Sequence, residues 1–316
     1  MNFPDFQITS KWIRSQRGPK NAVDPNKPYG FLVEKERLMT GEVADVATIF
    51  LTNRECPFHC LMCDLWKNTT DTTVAGGSIP EQIEFALTHL PPVKHIKLYN
   101  SGNFFDKKAI PPSDFPAIIG LLRGFDTVLV ENHPKLITRE VLDFRDKIQG
   151  NLQVAIGLET AQSEVLKMLN KSMTLEDFSN SCVFLTDHEI PVRTFILLRP
   201  PFLDEQEGIF WAKRSLDFAF DAGVECCVVI PTRAGNGALD ALEKKHLFHS
   251  PQLSSLEEVQ SYGISQNRGR VFADLWDLEQ FSTCPHCFQQ RCDRMHQMNL
   301  EQMPIPKASC RVCNSI

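Results

Sequence analysis

The sequence predicts a parallel α/β fold, and three observations carry the prediction. Short apolar runs alternate with helix-like stretches six times between residues 46 and 245. Those runs are far too short to cross a bilayer, so they read as buried strands. The composition, 42% hydrophobic and 23% charged, is that of a globular chain with ample material for a core. An open doubly wound sheet and a partial barrel both fit this rhythm.

Residues 1–45 are rich in Pro, Gly and charge without sustained periodicity, and read as an irregular, partly helical lead-in. "VATIFLT" (46–52) is the first buried strand. "SIPEQIEFALTHL" (78–90) is a helix opened by a capping box of Ser78 and Glu81. Strand "VKHIKLY" (93–99), helix "SDFPAIIGLLRGF" (113–125), strand "TVLVEN" (127–132), helix "TREVLDFRDKI" (138–148) and strand "LQVAIGLE" (152–159) follow. Two helical pieces, "SEVLKMLN" and "TLEDFSNSCVFLTDHE", lead to strand "VRTFILLR" (192–199). Helix "DEQEGIFWAKRSLDFAFDAG" (204–223) starts at an Asp cap and ends at Gly223, where a left-handed residue is expected. "ECCVVIP" (225–231) is the sixth strand. The repeats thus fill residues 46–245. Beyond them, in 246–316, "LSSLEEVQSYG" is a short helix, "RVFADLW" a candidate strand, and the rest a cysteine-rich, metal-binding extension.

A net charge of −6 supplies no overall basic field for a nucleic acid, although "KWIRSQRGPK" near the amino terminus is a small basic patch. The opening residues lack a basic-then-apolar leader, so the expected setting is cytoplasmic, with no membrane. Eleven cysteines in a chain without an export signal point to metal rather than disulfides.

Three of those cysteines, Cys56, Cys60 and Cys63, are spaced Cys-x3-Cys-x2-Cys directly after the first strand. In a parallel α/β fold that is the carboxyl end of the sheet, where active sites are built. A structural zinc site is closed by four ligands. Three thiolates on one loop instead suit an iron–sulfur cluster with one coordination position open. A zinc-stabilised RNA-binding protein and a redox-sensing thiol protein are the alternatives from other classes.

This loop resembles the signature of the radical S-adenosylmethionine enzymes. The resemblance implies a six-repeat (βα)6 partial TIM barrel whose three cysteines hold a 4Fe-4S cluster. S-adenosylmethionine then chelates the open iron, and its one-electron reductive cleavage yields a 5′-deoxyadenosyl radical that abstracts hydrogen from the substrate. The residue before the last cysteine, commonly aromatic in the family, is Met62 here. By position, "YNSGNFFD" (99–106) implies Asn100, Ser101, Gly102 and Asn103 as S-adenosylmethionine contacts, although the usual Gly-Gly-Glu is absent. Glu159 in "GLET" and Arg199 in "LLRPP" are implied as further contacts, and "PTRAGNG" as a segment along the adenine. Within the family, "SGNFFD", "VENHPKLIT", "GLETAQSEVLKMLNKSMT" and "LLRPPFLDEQEGI" are similar to the radical enzymes of archaeosine formation and their bacterial relatives, over residues 46–313. Those archaeal enzymes break a carbon–nitrogen bond in a lysine adduct of a deazaguanine base in tRNA. The implied partners are an electron donor such as flavodoxin or ferredoxin and a substrate that is tRNA, a small molecule or a peptide.

In the tail, Cys284-x2-Cys287 and Cys310-x2-Cys313 form two knuckles, the spacing of a four-thiolate zinc site, with Cys292 and His286 as spare ligands. An auxiliary 4Fe-4S cluster is the competing occupant. Cys182, Cys226 and Cys227 fall on a helix and a buried strand and read as core.

Overall fold

The computed structural model describes residues 1–307 and 309–313. Its strands are β1 Gly30–Arg37, β2 Val43–Phe50, β3 His95–Tyr99, β4 Thr127–Glu131, β5 Asn151–Glu159, β6 Val192–Leu198, β7 Cys226–Pro231 and β8 Arg270–Ala273. The helices are α1 Ser10–Ser15, α2 Ser78–His89, α3 Phe115–Leu121, α4 Arg139–Arg145, α5 Ser163–Met168, α6 Leu175–Asp187, α7 Glu205–Asp221, α8 Ala238–Glu243, α9 Leu253–Ser265 and α10 Pro285–Glu301. The eight strands form one sheet in chain order. β2 to β8 run parallel, and β1 lies antiparallel on the outer side of β2. The sheet curls into a half-barrel: Arg270 at the start of β8 donates to the carbonyl of Arg37 at the end of β1, so the two edges lean together.

The six expected strands are all present, and the "RVFADLW" stretch adds a seventh parallel one, continuous with the barrel through β7. The lead-in differs from its reading as irregular, because it contributes β1. Its charges disguise the strand. Glu36 faces inward, with Lys97 Nζ 2.5 Å from Oε2 and Arg193 on Oε1, at the amino ends of the strands. Burial alone would push the Glu36 carboxyl up, but Arg193 and Lys97 outweigh it and hold it well below the ordinary carboxylate range.

Helix signals transferred unevenly. Asp204 caps α7 in a reciprocal box with Glu207, and Gly223 after it adopts φ 87°. The box expected of Ser78 and Glu81 does not form. The cap position is Gly77, whose N–H donates to Asp114 Oδ1 at 2.8 Å, and Ser78 is already helical. A side chain from the next repeat supplies what the local motif was expected to give. The core fills the space between sheet and helices, from Ile49 and Leu98 on the strands to Ile83, Phe178 and Leu216 on the helices. Cys182, Cys226 and Cys227 are buried in it. No helix among the described residues is long and apolar enough to cross a membrane.

Candidate active site and tail metal centre

Every segment that follows a parallel strand emerges at the same end of the half-barrel, and the three-cysteine loop lies among them. Its shape is imposed from outside. Glu55 N donates to Thr70 O at 3.0 Å and Leu61 N to Leu169 O at 2.8 Å. Asn170 Nδ2 reaches His59 O at 2.7 Å, and Asn236 Nδ2 reaches Leu61 O at 2.8 Å. The basic stretch near the amino terminus closes over the same loop. Arg17 and Lys20 pair with Glu55 at 2.6 and 2.8 Å, and the Arg17 guanidinium stands 4.7 Å from the centre of the Trp66 ring. Arg17 and Lys20 of that patch thus act as a clasp on the loop.

The loop brings its three thiols into one electrostatic unit. Burial pushes Cys56 up and Cys60 up to about 12, and it raises Cys63 further, with Cys60 and Cys56 adding to the effect. Asn103 Nδ2 donates to Cys56 Sγ at 3.1 Å, while its Oδ1 accepts from His133 N at 2.7 Å. The loop's Phe58 stacks on the His133 ring with centroids 3.8 Å apart. His133 Nδ1 accepts from Lys135 N, and Nε2 lies 2.9 Å from the carbonyl of Lys171. Burial first, and then the Lys171 cation, hold this imidazole down at about 4. It is neutral, with Nε2–H as the donor.

The segment 100–103 packs against the loop: a side chain at Gly102 would stand 3.4 Å from Cys56 Cβ. Ser101 takes φ 51° and its hydroxyl donates to Tyr29 at 2.9 Å. Asn100 N and Gly102 N donate to Glu131 Oε1 at 2.7 and 3.4 Å. Burial lifts the Glu131 carboxyl to about 7 against the pull of those backbone donors. Both side-chain polar atoms of the buried Asn100 find no partner among the described residues. An orphaned amide on the segment that packs against Cys56 is the chemistry of a site that receives a polar group, so the residues fit a thiolate-bound cluster with a further ligand.

Glu159, at φ 66° past a bulge in β5, is ion-paired with the buried Lys171. Gly157 makes room, since a Cβ there would overlap both the carboxylate and the amine. Burial pulls the Lys171 ammonium down, but Glu159 and the cysteines outweigh it and raise it above its ordinary value. Arg199 is not brought into this group. Its guanidinium donates to Glu205 at 2.6 Å and to Ser250 O at 2.8 Å, fastening the start of α7. The residues that sequence reasoning did not single out are Glu131, His133, Lys171 and Asn236. For Glu131 and His133 the legible signal is position, at or just beyond a strand end, and for Asn236 it is the "PTRAGNG" loop after the sixth strand; Lys171 lies between α5 and α6 and has none.

In the tail, Cys284 Sγ lies 4.0 Å from Cys310 Sγ and Cys287 Sγ 3.7 Å from Cys313 Sγ, with all four within 4.8 Å of one another. Cys292 sits about two turns along α10, packed against the core and outside the tetrad.

No family model matches the chain. It is 21% identical over 313 residues to an uncharacterized protein of Methanocaldococcus jannaschii, covering 93% of this chain and 86% of that one. It is 24% identical over 234 residues to archaeosine synthase subunit beta of Methanosarcina acetivorans, covering 70% and 68%. Among solved structures it resembles Elp3 of Methanocaldococcus infernus, with a TM-score of 0.52 and 15% identity over 71% of this chain and 59% of that one. It also resembles Streptococcus suis SuiB bound to S-adenosylmethionine, with a TM-score of 0.52 and 12% identity over 75% and 50%. The chain thus spans little more than half the length of these structural neighbours. In fold it is similar to these two proteins, and in sequence to archaeosine synthase subunit beta.

Proposed function

We propose that the chain is a radical S-adenosylmethionine enzyme whose Cys56, Cys60 and Cys63 hold a 4Fe-4S cluster at the mouth of the half-barrel. The observation that carries this reading is the set of three thiols on one loop at the carboxyl ends of the parallel strands, against a segment whose Asn100 amide finds no partner among the described residues. When bound, such a cluster supplies one-electron cleavage of S-adenosylmethionine to a 5′-deoxyadenosyl radical. The chain's own residues prepare the place. Asn103 donates to Cys56 Sγ, Lys171 sets a buried positive charge near the thiols, and the Phe58–His133 stack holds the loop against β4. Asn100, Ser101, Gly102 and Asn103 line the position for the methionine moiety, with Glu131 fixing their backbone. Glu159, steered by Lys171, is the carboxylate available to the ligand's hydroxyl or amino groups. Arg199, already engaged, is assigned no such contact.

For the substrate, the named relatives favour a base in tRNA processed by chemistry like that of archaeosine synthase subunit beta. The test is anaerobic incubation of reconstituted protein with S-adenosylmethionine and a low-potential reductant. Wild type forms 5′-deoxyadenosine, and Cys60→Ala forms none; a Cys60→Ala protein that still forms it ends the proposal. Loss of the lysine-derived carbon chain from lysine-adduct tRNA, with the base retained in the tRNA, and no reaction of a free deazaguanine or a peptide, decides the substrate.

A further inference from the structure

The tail tetrad discriminates between its two candidate occupants by sulfur spacing alone. A tetrahedral ion with metal–sulfur bonds of about 2.3 Å requires sulfur–sulfur edges of about 3.8 Å. A 4Fe-4S cube bonds each thiolate to a different iron, which holds the four sulfurs about 6 Å apart. The observed 3.7 and 4.0 Å, with no pair beyond 4.8 Å, match the single ion. All four positions are filled by protein, which leaves no open coordination site and suits a structural d¹⁰ ion. Four thiolates around a divalent ion leave a net charge of about −2, and Arg291 lies beside Cys287. Arg291 is itself braced by the buried Glu257, which also holds Arg294.

We propose that Cys284, Cys287, Cys310 and Cys313 bind one zinc ion, which fastens the chain's end over α10 and so holds α10 against the open edge of the half-barrel. The contacts define what is fastened. Arg294 Nη2 and Nε donate to Ile305 O at 2.6 and 2.8 Å, laying the returning tail along the helix. α10 in turn covers the free edge of β8 with two side-chain amides. Asn299 Oδ1 accepts from Ala273 N and its Nδ2 donates to Ala273 O, both at 2.9 Å. Gln302 Oε1 accepts from Val271 N at 2.7 Å and its Nε2 donates to Val271 O at 3.0 Å. On the other side Arg37 of β1 donates to Leu300 O at 3.1 Å. An exposed parallel edge invites pairing with another chain, and here the helix pairs it instead. The zinc closes the strap that keeps this helix in place.

The experiment uses the full chain carrying Cys56→Ser, Cys60→Ser and Cys63→Ser together, so that any metal recovered belongs to the tail. One zinc per chain, with a zinc-edge absorption spectrum showing four sulfurs in a single shell, is the expected result. Iron in place of zinc, as one ion or as four, overturns the proposal, and so does a chain that binds no metal. Should the triple variant not fold, the zinc edge of the intact reconstituted protein reads the same shell without interference from iron. Chelating the zinc should accelerate hydrogen exchange at the amides of Val271 and Ala273; unchanged exchange there overturns the fastening role. If the loop cysteines prove not to hold a cluster, the zinc measurements are unaffected, so the two readings fail separately.

Discussion

The molecule carries two cysteine clusters that solve opposite problems. The tail tetrad is four thiols from two knuckles, mutually close, closed, and attached to the rest chiefly through one helix. The mouth triad is three thiols from one loop, shaped by Asn103 beyond β3, Asn170 between α5 and α6, Asn236 beyond β7 and the amino-terminal clasp. A closed set needs little from its surroundings because the ion completes it. An open set must be held by the fold, because the position it leaves free has to face something else. The difference also shows in the neighbours: Arg291 and Glu257 brace the tail, whereas Lys171, Glu159, His133 and Glu131 surround the mouth with charge and hydrogen-bonding capacity that packing alone would not call for.

The sharpest way to break the comparison is to exchange the consequences of losing one thiol. Cys60→Ala should abolish 5′-deoxyadenosine formation while leaving tail zinc intact. Cys284→Ser should do the reverse, losing zinc while cleavage continues, and loss of both functions in either variant would show that the clusters are not independent. Next in size is Lys171→Met, which strands the Glu159 carboxylate in a buried site. Removing one partner of such a pair costs about 3–5 kcal/mol, readable by denaturant titration; a loss under about 1 kcal/mol would mean that water already solvates Glu159. At the tail, Asn299→Ala leaves the Ala273 N–H and C=O unpaired, at about 1–3 kcal/mol. Its exchange protection should fall at Ala273 while the mouth amides keep theirs.

A third region, the floor of the half-barrel, supplies a control because it has charge without a metal-ligating set. Glu36 is held below its ordinary value by Arg193 and Lys97, so the folded state binds its proton less readily than the unfolded state. That stabilisation is complete above about pH 4.5 and is lost as pH falls, by at most about 1.4 kcal/mol for each unit below about 4. Glu36→Gln should lack this part of the acid slope. A variant with the wild-type slope would place the acid sensitivity elsewhere, at the mouth or the tail.

Legibility followed the range of the information. The strand–helix rhythm, the Asp204 cap and the pairing of the two tail knuckles are short-range patterns, and all appear where the sequence places them. β1 was hidden because its Glu36 looks like surface until Arg193, 157 residues away, is seen opposite it. The cap of α2 falls on Gly77 rather than Ser78, with its N–H taken by Asp114 of the next repeat. Lys171 had no signal of its own, lying twelve residues after Glu159 in a stretch that reads as an ordinary turn between helices.

By itself, then, the sequence determined the strands and helices of the six repeats and which thiols share a loop or a knuckle, since spacing and hydrophobic period are local properties of the chain. Only the tertiary structure decided that the sheet curls, that β1 and α10 cover its two edges, that Lys171 faces Glu159, and that the tail sulfurs stand at single-ion distance. Those facts depend on strand register and on side chains meeting across long stretches of chain, where a one-residue shift turns every partner to the opposite face.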